Sequence, residues 1–85
     1  MNRIYKDEYY EQFQIHYGAV VTQLRMKQKK NREMLAREAK VSVATIAIIE
    51  RGKGNPMLET MDNIAKALGT SVGRMFELAD KRSER

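Results

Sequence analysis

The sequence predicts an all-α domain of five helices, the first either extended at its N-terminus or preceded by an extra helix. Two observations carry that reading. Apolar residues recur at intervals of three and four, the spacing that lines one face of a helix. The breaks between them fall at Lys40-Val41-Ser42, Gly52-Lys53-Gly54-Asn55-Pro56 and Gly69-Thr70-Ser71, which are rich in residues that start, stop or turn a helix.

In the first helix Tyr17, Val20, Val21 and Leu24 share a face, and the basic stretch Arg25 to Lys30 suits the negative end of the helix dipole. Upstream, Tyr5, Tyr9, Phe13 and Tyr17 follow one another by four, in phase with Val21 and Leu24. Gly18 is the candidate junction between this extension and the domain. The aromatic stripe serves either the domain's own core or a dimer contact through Tyr5, Tyr9 and Phe13, because aromatics are enriched in interface cores. Asn31 is the expected N-cap of the second helix, with Glu33 in its first turn and Met34, Leu35 and Ala39 buried.

Residues 41–49 are rich in β-branched types, and propensity alone would make them a strand. A lone strand among helices has no partner, whereas Ser42 as N-cap and Gly52 as stop bracket about three helical turns. A third helix is therefore expected. The fourth follows Pro56, with Leu58, Met61, Ile64, Ala65 and Leu68 on one face and Gly69 after its end. Ser71 caps the fifth, which buries Val72, Met75 and Phe76. The expected organisation is an aromatic extension over 1–16, a domain over 17–79 and a polar tail over 80–85, fraying from Lys81 to Arg85.

Eighty-five residues suffice for one small core, and 42% hydrophobic with 32% charged residues exclude a disordered chain. The absence of Cys excludes disulfides and thiolate metal sites. No apolar run of ~18 residues exists, and acids occupy the place of an export signal's apolar stretch, so no membrane contact and a cytoplasmic location are expected. No phosphate loop, metal-ligand spacing or nucleophile motif is present, and His16 has no motif partner, so neither an enzyme nor a cofactor is expected. There is no room for a separate ligand domain, so no small-molecule ligand is expected either.

The net charge of +5 is local. Residues 25–53 hold nine basic against three acidic side chains, and the remainder of the chain contributes no excess of positive charge. A basic patch of this kind points to a polyanion, most commonly nucleic acid.

Leu24-Arg25, Leu35-Ala36, Val41-Ser42, Thr45-Ile46, Ile49-Glu50-Arg51-Gly52, Pro56 and the run from Leu58 to Leu68-Gly69 occur in a distinctive order. On these residues, positions 17–76 resemble the phage-repressor-like helix-turn-helix family (Cro-type, xenobiotic-response-element), whose fold is lambda-repressor-like. The resemblance implies a small transcriptional regulator, a repressor, that binds double-stranded DNA as a homodimer. It places a recognition helix, about 42–51, in the major groove. It implies base-facing roles for Val43, Ala44, Thr45, Ala47 and Ile48, and phosphate contacts from Lys30, Asn31, Arg32, Lys53 and Asn55. It also implies that Arg25 and Glu50 pair across the core edge.

The chain departs from that family in the recognition helix. Val43, Ala44, Ala47 and Ile48 stand where relatives usually carry hydrogen-bonding side chains. They can pack against thymine methyls or exclude a base by shape, but cannot read G or A through paired hydrogen bonds. The same strip supports an alternative, a module binding a protein partner as an antitoxin or anti-activator. Lys29 and Lys30 replace a Gly and an apolar residue. Lys40 replaces the turn Gly and must tolerate or avoid positive φ. Met57 stands at a cap site that its thioether cannot fill.

Overall fold

The computed structural model describes the backbone of residues 3–84 and the side chains of residues 9–84. Five helices follow in order: α1 Arg3–Lys27, α2 Arg32–Ala39, α3 Val43–Glu50, α4 Leu58–Ala67 and α5 Val72–Ser83. The described residues contain no strand. From Arg3 on, the N-terminal extension is continuous with α1 rather than a separate helix.

Local chemistry sets the boundaries as expected. Asn31 Oδ1 accepts the Met34 N–H at 2.7 Å, Ser42 Oγ that of Thr45 at 3.0 Å, and Ser71 Oγ that of Arg74 at 3.1 Å. Each such cap stabilises its helix by about 1 kcal/mol. Met57 precedes α4 and caps nothing with its side chain. Gly52 takes φ 77° just beyond α3, a left-handed stop that glycine adopts without strain. α3 is helical despite its β-branched run because Ser42 caps it and Ile46 and Ile49 are buried from one side. It spans eight residues, about two turns and not the three expected.

The core gathers Tyr17, Val20 and Val21 of α1, Leu35, Ala36 and Ala39 of α2, Ile46 and Ile49 of α3, Ile64 and Ala65 of α4 with Leu68 at its end, and Met75 and Ala79 of α5. α1 is the spine, packed on α5 along one side and on α3 along another, while α2 bridges α3 and α4. Phe13 stacks over Tyr17 at 6.1 Å, and both rings meet Phe76 edge-on at 5.2 and 6.0 Å. Phe13 thus closes the core. Tyr9 stands 55% exposed, and the side chain of Tyr5 lies outside the described residues.

Several expectations are corrected. Met34 is exposed, because the inward face of α2 is Leu35, Ala36 and Ala39. Leu58 is 66% exposed, since it opens α4 one turn ahead of the face that packs. Val72 and Phe76 are half-buried rather than fully enclosed. Gly18 is no junction but lies inside α1, where an added Cβ would stand 2.2 Å from the Ile49 carbonyl oxygen. Its missing side chain lets α1 and α3 touch. α5 continues through Ser83 where fraying was expected, and Arg82 Nη1 donates to His16 Nδ1 at 2.9 Å.

Lys40 tolerates rather than avoids the left-handed region, with φ 59° at the end of α2. That conformation costs a residue with a Cβ roughly 1–2 kcal/mol. Lys40→Gly is expected to stabilise the fold by about 1 kcal/mol, net of the freer unfolded chain. In a domain of this size the melting temperature should rise by about 5 °C, read by circular dichroism. An unchanged or lower melting temperature would mean that the Lys40 backbone carries no strain.

Candidate nucleic-acid interface

α2 and α3 meet across Lys40, Val41 and Ser42. Val41 packs against the core and its N–H donates to the Ala36 carbonyl at 3.0 Å, which fixes the turn. Ile46 and Ile49 point inward, so the opposite side of α3 is set by the 3.6-residue repeat. There Val43 is 42% and Ile48 39% exposed, Ala44 is exposed and Ala47 half-buried. Thr45 is half-buried, and its Oγ1 lies 2.8 Å from Ser42 Oγ, so its hydroxyl belongs to the cap. The outer surface of α3 is therefore open and apolar.

A charged cluster ties this helix to α1 and α2. Arg25 grips Glu50 with two nitrogens, Nε to Oε2 at 2.7 Å and Nη2 to Oε1 at 3.0 Å. Its Nη1 donates to the Lys30 carbonyl at 2.8 Å, holding the α1–α2 loop. The pairing implied by the family resemblance is thus present. The sequence did not disclose its third member: Arg32 Nε also donates to Glu50 Oε1, at 2.8 Å. The Glu50 side chain is 1% exposed. Burial alone would push its carboxyl up, but hydrogen bonds from Arg25 and then Arg32, with their charges, hold it below the ordinary carboxylate value. The hydrogen bond to Glu50 raises Arg25 against the opposing effect of its own burial.

The expected phosphate residues divide. Arg32 is held by Nε alone and its side chain stays 46% exposed. Asn31, exposed at the start of α2, uses Oδ1 as the cap. Lys53 and Asn55 are exposed in the loop after α3, and the Gln14 side-chain amide ties that loop to α1 by donating to the Gly54 carbonyl. Lys30 is turned away from this group. Its ammonium donates to Glu38 at 2.7 Å and to the Ala67 carbonyl at 2.9 Å, bracing α2 against α4. No sequence spacing announces a lysine that reaches a backbone oxygen 37 residues away.

An open apolar helix stands between two sets of exposed polar and cationic groups, Asn31 and Arg32 at the start of α2 and Lys53 and Asn55 after α3. A family model described as helix-turn-helix matches residues 21–74. Among solved structures the chain is similar to the clp gene regulator ClgR from Corynebacterium glutamicum, with TM-score 0.80 and 24% identity over 85% of this chain and 77% of that one. It is similar to the restriction-modification controller protein C.AhdI from Aeromonas hydrophila, with TM-score 0.70 and 22% identity over 73% of this chain and 94% of that one. It is also similar to the controller protein C.Esp1396I, solved as a tetramer in complex with its natural 35 base-pair operator. There the TM-score is 0.77 and the identity 23% over 86% of this chain and 96% of that one. These likenesses are likenesses of fold. No curated protein matches the chain.

Proposed function

The chain belongs to the helix-turn-helix family, and from that premise we propose that it binds double-stranded DNA in a sequence-dependent way as a homodimer, acting inside the cell as a small transcriptional repressor. It is a binding protein and not an enzyme. The observation that supports this reading is the open outer face of α3, flanked by Asn31 and Arg32 on one side and by Lys53 and Asn55 on the other. The C.Esp1396I tetramer on its operator is a precedent for this fold on duplex DNA in multiple copies.

In this mechanism α3 enters the major groove. The α2 N-terminus meets phosphate with free backbone N–H groups, the positive end of its dipole and the Arg32 guanidinium. Lys53 and Asn55 grip the backbone beyond the groove. Val43, Ala44 and Ile48 bring no hydrogen bonds to base edges, so discrimination comes from thymine methyl contacts and from the shape of the duplex.

Gel-shift titration on genomic fragments at several salt concentrations tests the proposal. With ~6–8 phosphate contacts per dimer, log affinity should fall against log salt with a slope of about −5 to −7. Lys53→Ala should weaken binding to all sequences alike and flatten that slope by about one per protomer. Ile48→Ala should instead change the preference among A·T-rich sites. No shift on any fragment at low salt would overturn the reading. The exposed apolar strip of α3 favours one rival, a protein partner in place of DNA. A wild type indifferent to DNA, with capture of a partner that Ile48→Glu abolishes, would establish that rival.

A further inference from the structure

Arg32 opens α2 and Glu50 ends α3, 18 residues further along the chain. Glu50 Oε1 accepts from Arg25 Nη2 at 3.0 Å and from Arg32 Nε at 2.8 Å. The two arginines use the carboxylate differently. Arg25 engages all three of its nitrogens inside the fold, two on Glu50 and one on the Lys30 carbonyl. Arg32 engages Nε alone, and its two terminal nitrogens donate to nothing among the described residues. Two guanidinium groups against one carboxylate leave a positive charge unbalanced. Arg25 is largely covered and Arg32 half open, so that charge reaches solvent at the free edge of Arg32. Arg32 borders a shallow hollow with Asn31, Glu33 and Val43, the first residue of α3.

We propose that Glu50 is a positioning residue for the DNA contact: it holds Arg32 by Nε, so that both terminal nitrogens are presented to a phosphate, and it ties that contact to α3 as well as to α2. This inference rests on the DNA reading. The free edge of a guanidinium matches two phosphate oxygens. Ordering a loose arginine side chain weakens binding by roughly 10- to 30-fold, a loss that an arginine already anchored largely avoids. Unanchored, Arg32 is free to close on Glu33, whose carboxylate borders the same hollow. Lysine cannot take its place, because it has one nitrogen for both partners and offers a point charge instead of a fork.

The free chain and the complex give separate tests. Nitrogen relaxation by NMR, without DNA, should show the Arg32 Nε–H as ordered as that of Arg25, and a mobile Arg32 Nε–H would overturn the proposal. On a duplex that the wild type shifts, Arg32→Lys keeps the charge and leaves the Arg25–Glu50 pair intact. It should nevertheless weaken binding about 5- to 20-fold, close to the loss in Arg32→Ala. Lys53→Arg, the matching exchange at an exposed loop residue, should change affinity less than about 2-fold. Glu50→Gln, compared at a temperature where circular dichroism shows it folded, should cost about 5-fold more affinity in the wild-type background than in Arg32→Ala. A loss that comes only through a displaced α3 is equal in both backgrounds. Arg32→Lys leaves Glu50 unchanged, so the test stands even where Glu50→Gln does not fold. Wild-type affinity in Arg32→Lys, or equal Glu50→Gln losses in the two backgrounds, would overturn the positioning and leave the DNA reading in place. A wild type that shifts no duplex would overturn both.

Discussion

Glu50→Ala is expected to lower stability by about 3–5 kcal/mol, the usual result of removing one partner from a buried ion pair. A domain of this length has only about 4–13 kcal/mol in all, so much of the variant population should unfold at modest urea. The loss is large because one carboxylate satisfies two guanidinium groups, Arg25 at 2.7 Å and Arg32 at 2.8 Å. Without it Arg25, whose side chain is 12% exposed, remains desolvated without a counter-charge. The same contact joins the C-terminal turn of α1, the start of α2 and the end of α3, so the angle of α3 loosens with it. Acid should reproduce part of the effect. The folded carboxyl lies below its ordinary value of 4.5. Its contribution is therefore fully present above that value and lost as pH falls through the lower folded value. Urea titrations across pH 2–7 should show this loss in the wild type and not in Glu50→Gln. Parallel pH profiles would mean that Glu50 contributes nothing through its charge.

Gly18→Ala is the second large effect, and it runs against helix propensity. In a helix interior alanine ordinarily gains about 0.5–1 kcal/mol over glycine. At Gly18 the new methyl would stand 2.2 Å from the Ile49 carbonyl oxygen and 3.3 Å from that of Glu50. Neither is a flexible side-chain end, so α1 and α3 must part. Overpacking of this kind costs about 1–3 kcal/mol, and here it falls on the seam that holds α3 against α1. Gly73 in α5 is the control, with nothing within 4 Å of an added Cβ. Thermal melts should move down for Gly18→Ala and up for Gly73→Ala. A shift in the same direction for both would show that α1 and α3 have room to spare.

Features written in neighbouring residues were legible in the sequence. Asn31, Ser42 and Ser71 cap their helices, and Gly52 stops α3, because these interactions span a few residues and depend on side-chain type. The Arg25–Glu50 pair was legible only through family resemblance, since nothing local joins positions 25 apart. What escaped depends on approach between distant segments. The closeness of α3 to Gly18, the second guanidinium on Glu50 and the reach of Lys30 to Ala67 have no signature in spacing. Periodicity placed Met34 and Leu58 with apolar neighbours but could not say where the covering helix ends, and both emerged exposed. Residues 41–49 show the converse: a capped start and one buried side overrode a strand-like composition. The open outer face of α3 follows from the register of Ile46 and Ile49, which the sequence already contained.

The principal packing partner of α1 is α5, at the far end of the sequence. During synthesis the α5 surface that covers Phe13 and Tyr17, with Phe76 edge-on to both, thus follows α2, α3 and α4. Until then the nascent chain carries an uncovered apolar spine, so the α1–α5 seam closes only after the contacts among nearer neighbours can form.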